Sequence, residues 1–127
     1  MKRLSSVLMV ASLGSFGCES PVAVESDLLQ VRSDLTALEI TNVSATPVYY
    51  FAAEQGTLAL IDWMLCVDPA RCPSIAPNAA QRVAYSTITG YTDTAHAIVV
   101  FHWRLVPGNG ESGYVADSLR SLMVHIH

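Results

Sequence analysis

From Leu28 onward, apolar and polar residues alternate in short runs, and Gly, Pro, Asn or Ser cuts one run from the next. Alternation with a period of two marks a strand with one buried face. The runs are 37–43, 48–53, 58–65, 82–88, 95–106 and 119–127. Segment 27–35 (DLLQVRSDL) fits two descriptions. One is a helix capped by Ser26 with Leu28, Val31 and Leu35 on one side; the other is a strand in which Leu29, Val31 and Ser33 share a face. The strand is favoured, because everything after it is strand-like. Six or seven short strands with no convincing helix between them predict an all-β fold, an antiparallel β-sandwich of about seven strands.

Such a fold buries one face of each strand and wets the other. Along 95–106 the odd positions (Ala97, Val99, Phe101, Trp103, Leu105) read as the core face, with His96, His102 and Arg104 pointing to water beside Ile98 and Val100. Along 119–127, Leu122, Val124 and Ile126 read as core, so His125 and His127 point away. Trp63 is expected on a core-facing position of strand 58–65. The Pro107-Gly108-Asn109-Gly110 turn suggests a hairpin joining the last two strands. Pairing Val106 with Leu119 sets Val100 across from His125 and Ile98 across from His127. His102–His125 and His96–His127 are then diagonal pairs, about 7–8 Å apart. Neutral imidazoles so placed suit Zn, Cu or Ni, so His96, His102, His125 and His127 are the metal candidates. The plainer reading is that polar side chains populate a wet face.

Residues 1–17 stand apart from this pattern. Lys2 and Arg3 precede an apolar stretch over 4–13, and Ser15-Phe16-Gly17 leads into Cys18. This is the layout of a signal peptide, and the stretch is too short to span a bilayer. It resembles the signal of bacterial lipoproteins, in which the Cys after the cleavage point becomes the acylated first residue; Gly17 fits the small residue before it. Ser15 and Phe16 depart from the usual lipoprotein motif, and Ser15 with Gly17 also satisfies ordinary signal cleavage. Both readings cut before Cys18. The mature chain would have 110 residues, with five Arg, eleven acids and no Lys, a net charge of −6. Such a charge is repelled by nucleic acid and by anionic lipid, so a covalent lipid on Cys18 is the expected membrane link. Residues 18–27 read as a tether and 28–127 as the folded domain.

The cysteine count supports export. Acylating Cys18 leaves Cys66 and Cys72, which bracket a five-residue loop built on Asp68-Pro69. In an oxidising compartment such a pair forms a disulfide. The alternative, a zinc site, usually needs a second pair of ligands, and none is evident.

The segment LEITNVSATPVYYF, the later Cys and the Pro-Asn before the next strand resemble the Ig-like domains of small bacterial lipoproteins. The resemblance spans residues 28–127 and implies a fold rather than an activity.

Composition narrows the function classes. The chain is 51% hydrophobic and 14% charged, with a net charge of −4, which excludes a disordered polyelectrolyte and gives no footprint for nucleic acid. No nucleophile elbow, phosphate loop or dinucleotide motif occurs, and no cofactor is implied. Asn42-Val43-Ser44 matches a glycosylation acceptor but reads as a turn. Tyr49, Tyr50 and Tyr91 are candidates for an exposed binding surface toward an envelope protein or carbohydrate, or else they cap the open ends of the sandwich. The expected protein is therefore an exported, lipid-anchored component of the bacterial cell envelope, on the outer membrane or a periplasmic face, acting as a non-enzymatic binding or structural module. The alternatives are a metal-binding domain using the histidines and a small hydrolase-associated or inhibitor domain.

Overall fold

The computed structural model describes residues 23–109 and 113–126. In chain order these form β1 (Val24–Glu25), β2 (Leu29–Ser33), β3 (Ala37–Asn42), β4 (Val48–Glu54), the short helix α1 (Gln55–Leu58), β5 (Ser74–Ile75), β6 (Ala80–Ala84), a 3₁₀ turn (Tyr85–Thr87), β7 (Ala97–Pro107) and β8 (Tyr114–His125). One sheet has the order β1-β2-β3-β6 and the other β5-β4-β7-β8. Every named pair is antiparallel. The order matches an Ig-like sandwich, with β2, β3 and β6 as strands A, B and E, and β5, β4, β7 and β8 as C′, C, F and G.

The alternation in β2 and β3 produces the expected result. Leu29, Val31, Leu38 and Ile40 are buried, while Arg32 and Glu39 are exposed. They meet Val48, Ile98, Val100 and Val124 of the second sheet in the inter-sheet core, with Tyr85 and Ile88 at one end. The turns are held by side chains. Asp34 Oδ1 accepts from the amides of Thr36 and Ala37, both at 2.8 Å, and so shapes the β2–β3 turn. Asn42 is fully buried. Its Nδ2 donates to the carbonyls of Thr46 and Ile75, and its Oδ1 accepts from Ser44, so it organises the β3–β4 loop rather than facing solvent. Glu54 caps α1. Gly90, at φ +81°, packs against Thr57 so closely that no Cβ fits.

Four expectations need correction. The folded part begins inside the segment read as a tether, because Val24 and Glu25 already pair with Val31 and Gln30. No strand forms over 58–65; α1 ends at Leu58, and residues 61–68 carry no regular structure. The hairpin of β7 and β8 forms, but in another register: Val106 faces Val115 and Val100 faces Leu122. The register runs up to the end of the strands, where Pro107 pairs with Tyr114 and Gly108 N–H bonds Gly113 C=O.

The fourth correction concerns parity. Directly paired residues share a face, so Ile98, Val100 and His102 lie with Val124, Leu122 and Arg120 toward the first sheet. The odd positions of β7 point to the outer side of their own sheet. There a second cluster forms: Tyr49, Trp103 and Cys72 are buried among Phe51, Trp63, Leu65, Cys66, Phe101 and Leu105. The segment between α1 and β5 folds back over the sheet and covers it. Trp63 stacks on Phe51 at 4.7 Å and lies 4.6 Å from Phe101. Trp103 Nε1 donates to the Cys66 carbonyl at 3.0 Å. Trp103 is thus buried as expected, yet beneath this loop and not between the sheets.

Candidate functional site

His102 is the polar residue that the sequence places wrongly. It was expected on a wet face; it has no exposed surface and sits on the inter-sheet side of β7. Ser26, in the bend after β1, reaches it: Ser26 Oγ lies 2.7 Å from His102 Nε2. Both lone pairs of that oxygen are occupied, by the amides of Leu28 and Leu29 at 3.2 Å each. The hydroxyl proton therefore goes to Nε2, and Nδ1–H donates to the Val100 carbonyl at 3.1 Å. Above the pair, Arg120 grips Asp27 through two bonds of 3.0 and 3.2 Å. Burial holds the imidazole below its ordinary pKa, against the opposing pull of its bond to Val100. The bond to Arg120 lowers the pKa of Asp27.

A serine hydroxyl on an imidazole resembles a nucleophile with its base, but this geometry serves another purpose. The Ser26 oxygen is committed to two backbone amides, and Nδ1 meets a carbonyl rather than an orienting carboxylate. The arrangement fastens the first strand of one sheet to the centre of the other. Ser26 stands out in the sequence only as a candidate helix cap, and Asp27 and Arg120 not at all. Nothing local marks them, because Asp27 and Arg120 meet only once β8 folds against the bend after β1.

The other histidines do not join His102. His96 and His125 are exposed at the far end of β7 and β8, where Ala97 pairs with His125 and Ile126 N–H bonds His96 C=O. His127 lies outside the described residues. The shared histidine face is therefore absent, and among the described residues no three His, Cys, Asp or Glu side chains converge to hold a metal. The reason is parity: His102 and His125 project to opposite faces of the sheet.

The tyrosines also separate. Tyr49 is buried beside Trp103 and lines a shallow depression of about 180 Å³ with Pro47, Arg104 and Leu105. Tyr50 is half-buried against the inter-sheet core, and burial raises its phenol pKa. It lines a second depression, of about 210 Å³, with Pro73 and Val83. Tyr91 stacks on Tyr85 at 5.4 Å and borders a third, of about 310 Å³, with Leu35 and Arg82. No single groove collects all three. Arg104, expected beside His102, is half-exposed and bonds Asp117 at 2.7 Å.

Cys66 and Cys72 form the expected disulfide, with an S–S distance of 2.02 Å. It closes the loop that covers the outer aromatic cluster. Cys18 lies outside the described residues. Comparisons of the chain with protein-family models, with curated proteins and with solved structures gave no match.

Proposed function

We propose that the protein is an exported, lipid-anchored component of the bacterial cell envelope, whose Ig-like sandwich serves as a non-enzymatic binding or structural module. The observation that carries this reading is the division of the three cysteines. Cys66 and Cys72 are joined within the domain, which leaves Cys18 alone, after a signal-like segment and six residues before the first strand. A disulfide suits an oxidising compartment. An unpaired cysteine at the junction after a signal is accounted for by acylation. The surface supports a module rather than an enzyme: the Ser–His pair is spent on structure, and large apolar side chains at loop tips offer contact area.

The test is fractionation with intact-mass analysis of the exported protein. The native chain should sediment with membranes and carry acyl mass on Cys18, while Cys18→Ser should appear in the soluble fraction. Several acyl chains give stable anchoring where one gives only marginal binding. A mature chain with an unmodified Cys18 would overturn the proposal.

A further inference from the structure

We infer that the end of the sandwich bearing the β2–β3 turn and the segment after α1 rests on a zwitterionic lipid surface, with Leu35 and Leu60 as its contact points. The inference extends the lipid-anchor reading above and rests on it. Leu35 is 89% exposed and Leu60 85%, two of the three most exposed large apolar side chains among the described residues. The third, Met64, lies four residues beyond Leu60 on the same segment.

The topology places both leucines at one end. The 34–36 turn precedes β3, and the 43–47 loop follows it, so the two lie at opposite ends of the sandwich. β4 starts at the 43–47 end and delivers α1 and Leu60 to the other. Contacts tie that end together. Tyr85 N–H bonds Thr36 C=O, Glu54 N–H bonds Thr89 C=O, and Leu60 N–H bonds Thr57 C=O.

The described chain enters β1 from this same end. Because β1 runs antiparallel to β2, the step from Glu25 to Val24 moves from Gln30 toward Val31, and onward to the 34–36 turn. From Ala23 to Cys18 is five residues, at most about 17 Å even fully extended. An acyl chain on Cys18 therefore holds this end of the domain near the bilayer surface. Leucines exposed on turn tips then gain the burial that the protein itself does not provide. Charge selects the lipid. Cut before Cys18, the chain carries a net charge of −6. Arg82 pairs with Asp34 beside Leu35, Glu54 adds negative charge at the same end, and anionic headgroups would on balance repel the domain.

The experiment uses the full exported chain in phosphatidylcholine vesicles. Single fluorophores are placed through Leu35→Cys, Leu60→Cys and, as a control at the opposite end, Ala45→Cys, with a lipid-borne nitroxide as quencher. Strong quenching at 35 and 60 with emission retained at 45 is the expected result. Vesicle-bound protein with equal quenching at all three sites overturns the inference and leaves the anchor intact. Protein that carries no acyl mass on Cys18 and does not bind overturns both. Protein that lacks acyl mass yet binds with quenching at 35 and 60 overturns the anchor and keeps the lipid-facing end.

Discussion

Removing one hydroxyl should show how much stability the Ser26–His102 contact contributes. Ser26→Ala deletes the proton donated to His102 Nε2 and the acceptor for the amides of Leu28 and Leu29. His102 has no exposed surface, so water does not replace the lost partner without opening the fold. A buried acceptor left unsatisfied costs about 1–3 kcal/mol, and two long amide bonds add a few tenths each. The expected loss is about 2–3 kcal/mol, a fall in melting temperature of roughly 10–20 °C for a domain of this size. Adding His102→Phe to Ser26→Ala should restore part of it, because exchanging both partners for apolar groups leaves nothing unsatisfied. The pH dependence has a definite sign. His102 is held neutral in the fold, below its ordinary value of 6.5, while the unfolded chain takes up a proton near that value. The unfolded state therefore binds more protons as pH falls below 6.5, and stability contributed by the neutral imidazole declines with it. Urea titrations of the wild type from about pH 8 to about pH 5 should show this decline, and His102→Phe should lack that component. A Ser26→Ala protein within about 0.5 kcal/mol of wild type, or a wild-type profile flat over that range, would refute the argument.

The outer cluster makes its own predictions. Trp103→Ala should cost about 3–5 kcal/mol in urea unfolding, because it empties the space under the covering loop and removes the bond to the Cys66 carbonyl. Cys66 and Cys72 should resist a thiol probe until reduced, and Cys72→Ala with Cys66→Ala should lose about 2 kcal/mol from loop closure alone. Full labelling of the unreduced exported protein would show an open loop.

How far the sequence spoke for the fold depended on whether a strand had one polar face. β2 and β3 do: Gln30, Arg32 and Glu39 mark the wet side, and the buried partners follow. β7 does not, since Val99, Phe101 and Trp103 alternate with Ile98 and Val100. Its one charged residue is Arg104, costly to bury, and alternation ties His102 to the same face as Arg104. The irregularity beside it lies in β8, where Arg120 to Asp117 spans three steps against two from His102 to Arg104. β7 therefore keeps its alternation, and Arg104 shares the face of His102 nearer the strand end. Arg104 turns to Asp117 while His102 stays inside. The loop over the outer face was equally hidden. LALIDWML has the composition of a strand, and only the disulfide and the waiting aromatic surface of β4 and β7 show why it lies across the sheet instead. The paired cysteines were legible from spacing and count; the grouping of Ser26, Asp27, His102 and Arg120 was not, because it is assembled from three separated segments.

The two-sided burial of β7 bears on which substitutions this chain can accept. An ordinary sandwich strand offers every second position to solvent, where polar changes drift freely. From Ala97 to Val100, and at His102 and Trp103, β7 offers none, since each of these side chains is buried. β6 is the converse, with four of its five residues exposed. Mutational tolerance is thus distributed by strand rather than by face: diversification, tagging and loop grafting belong on the β6 side of the molecule, and β7 is a segment in which almost any polar replacement is felt by a core.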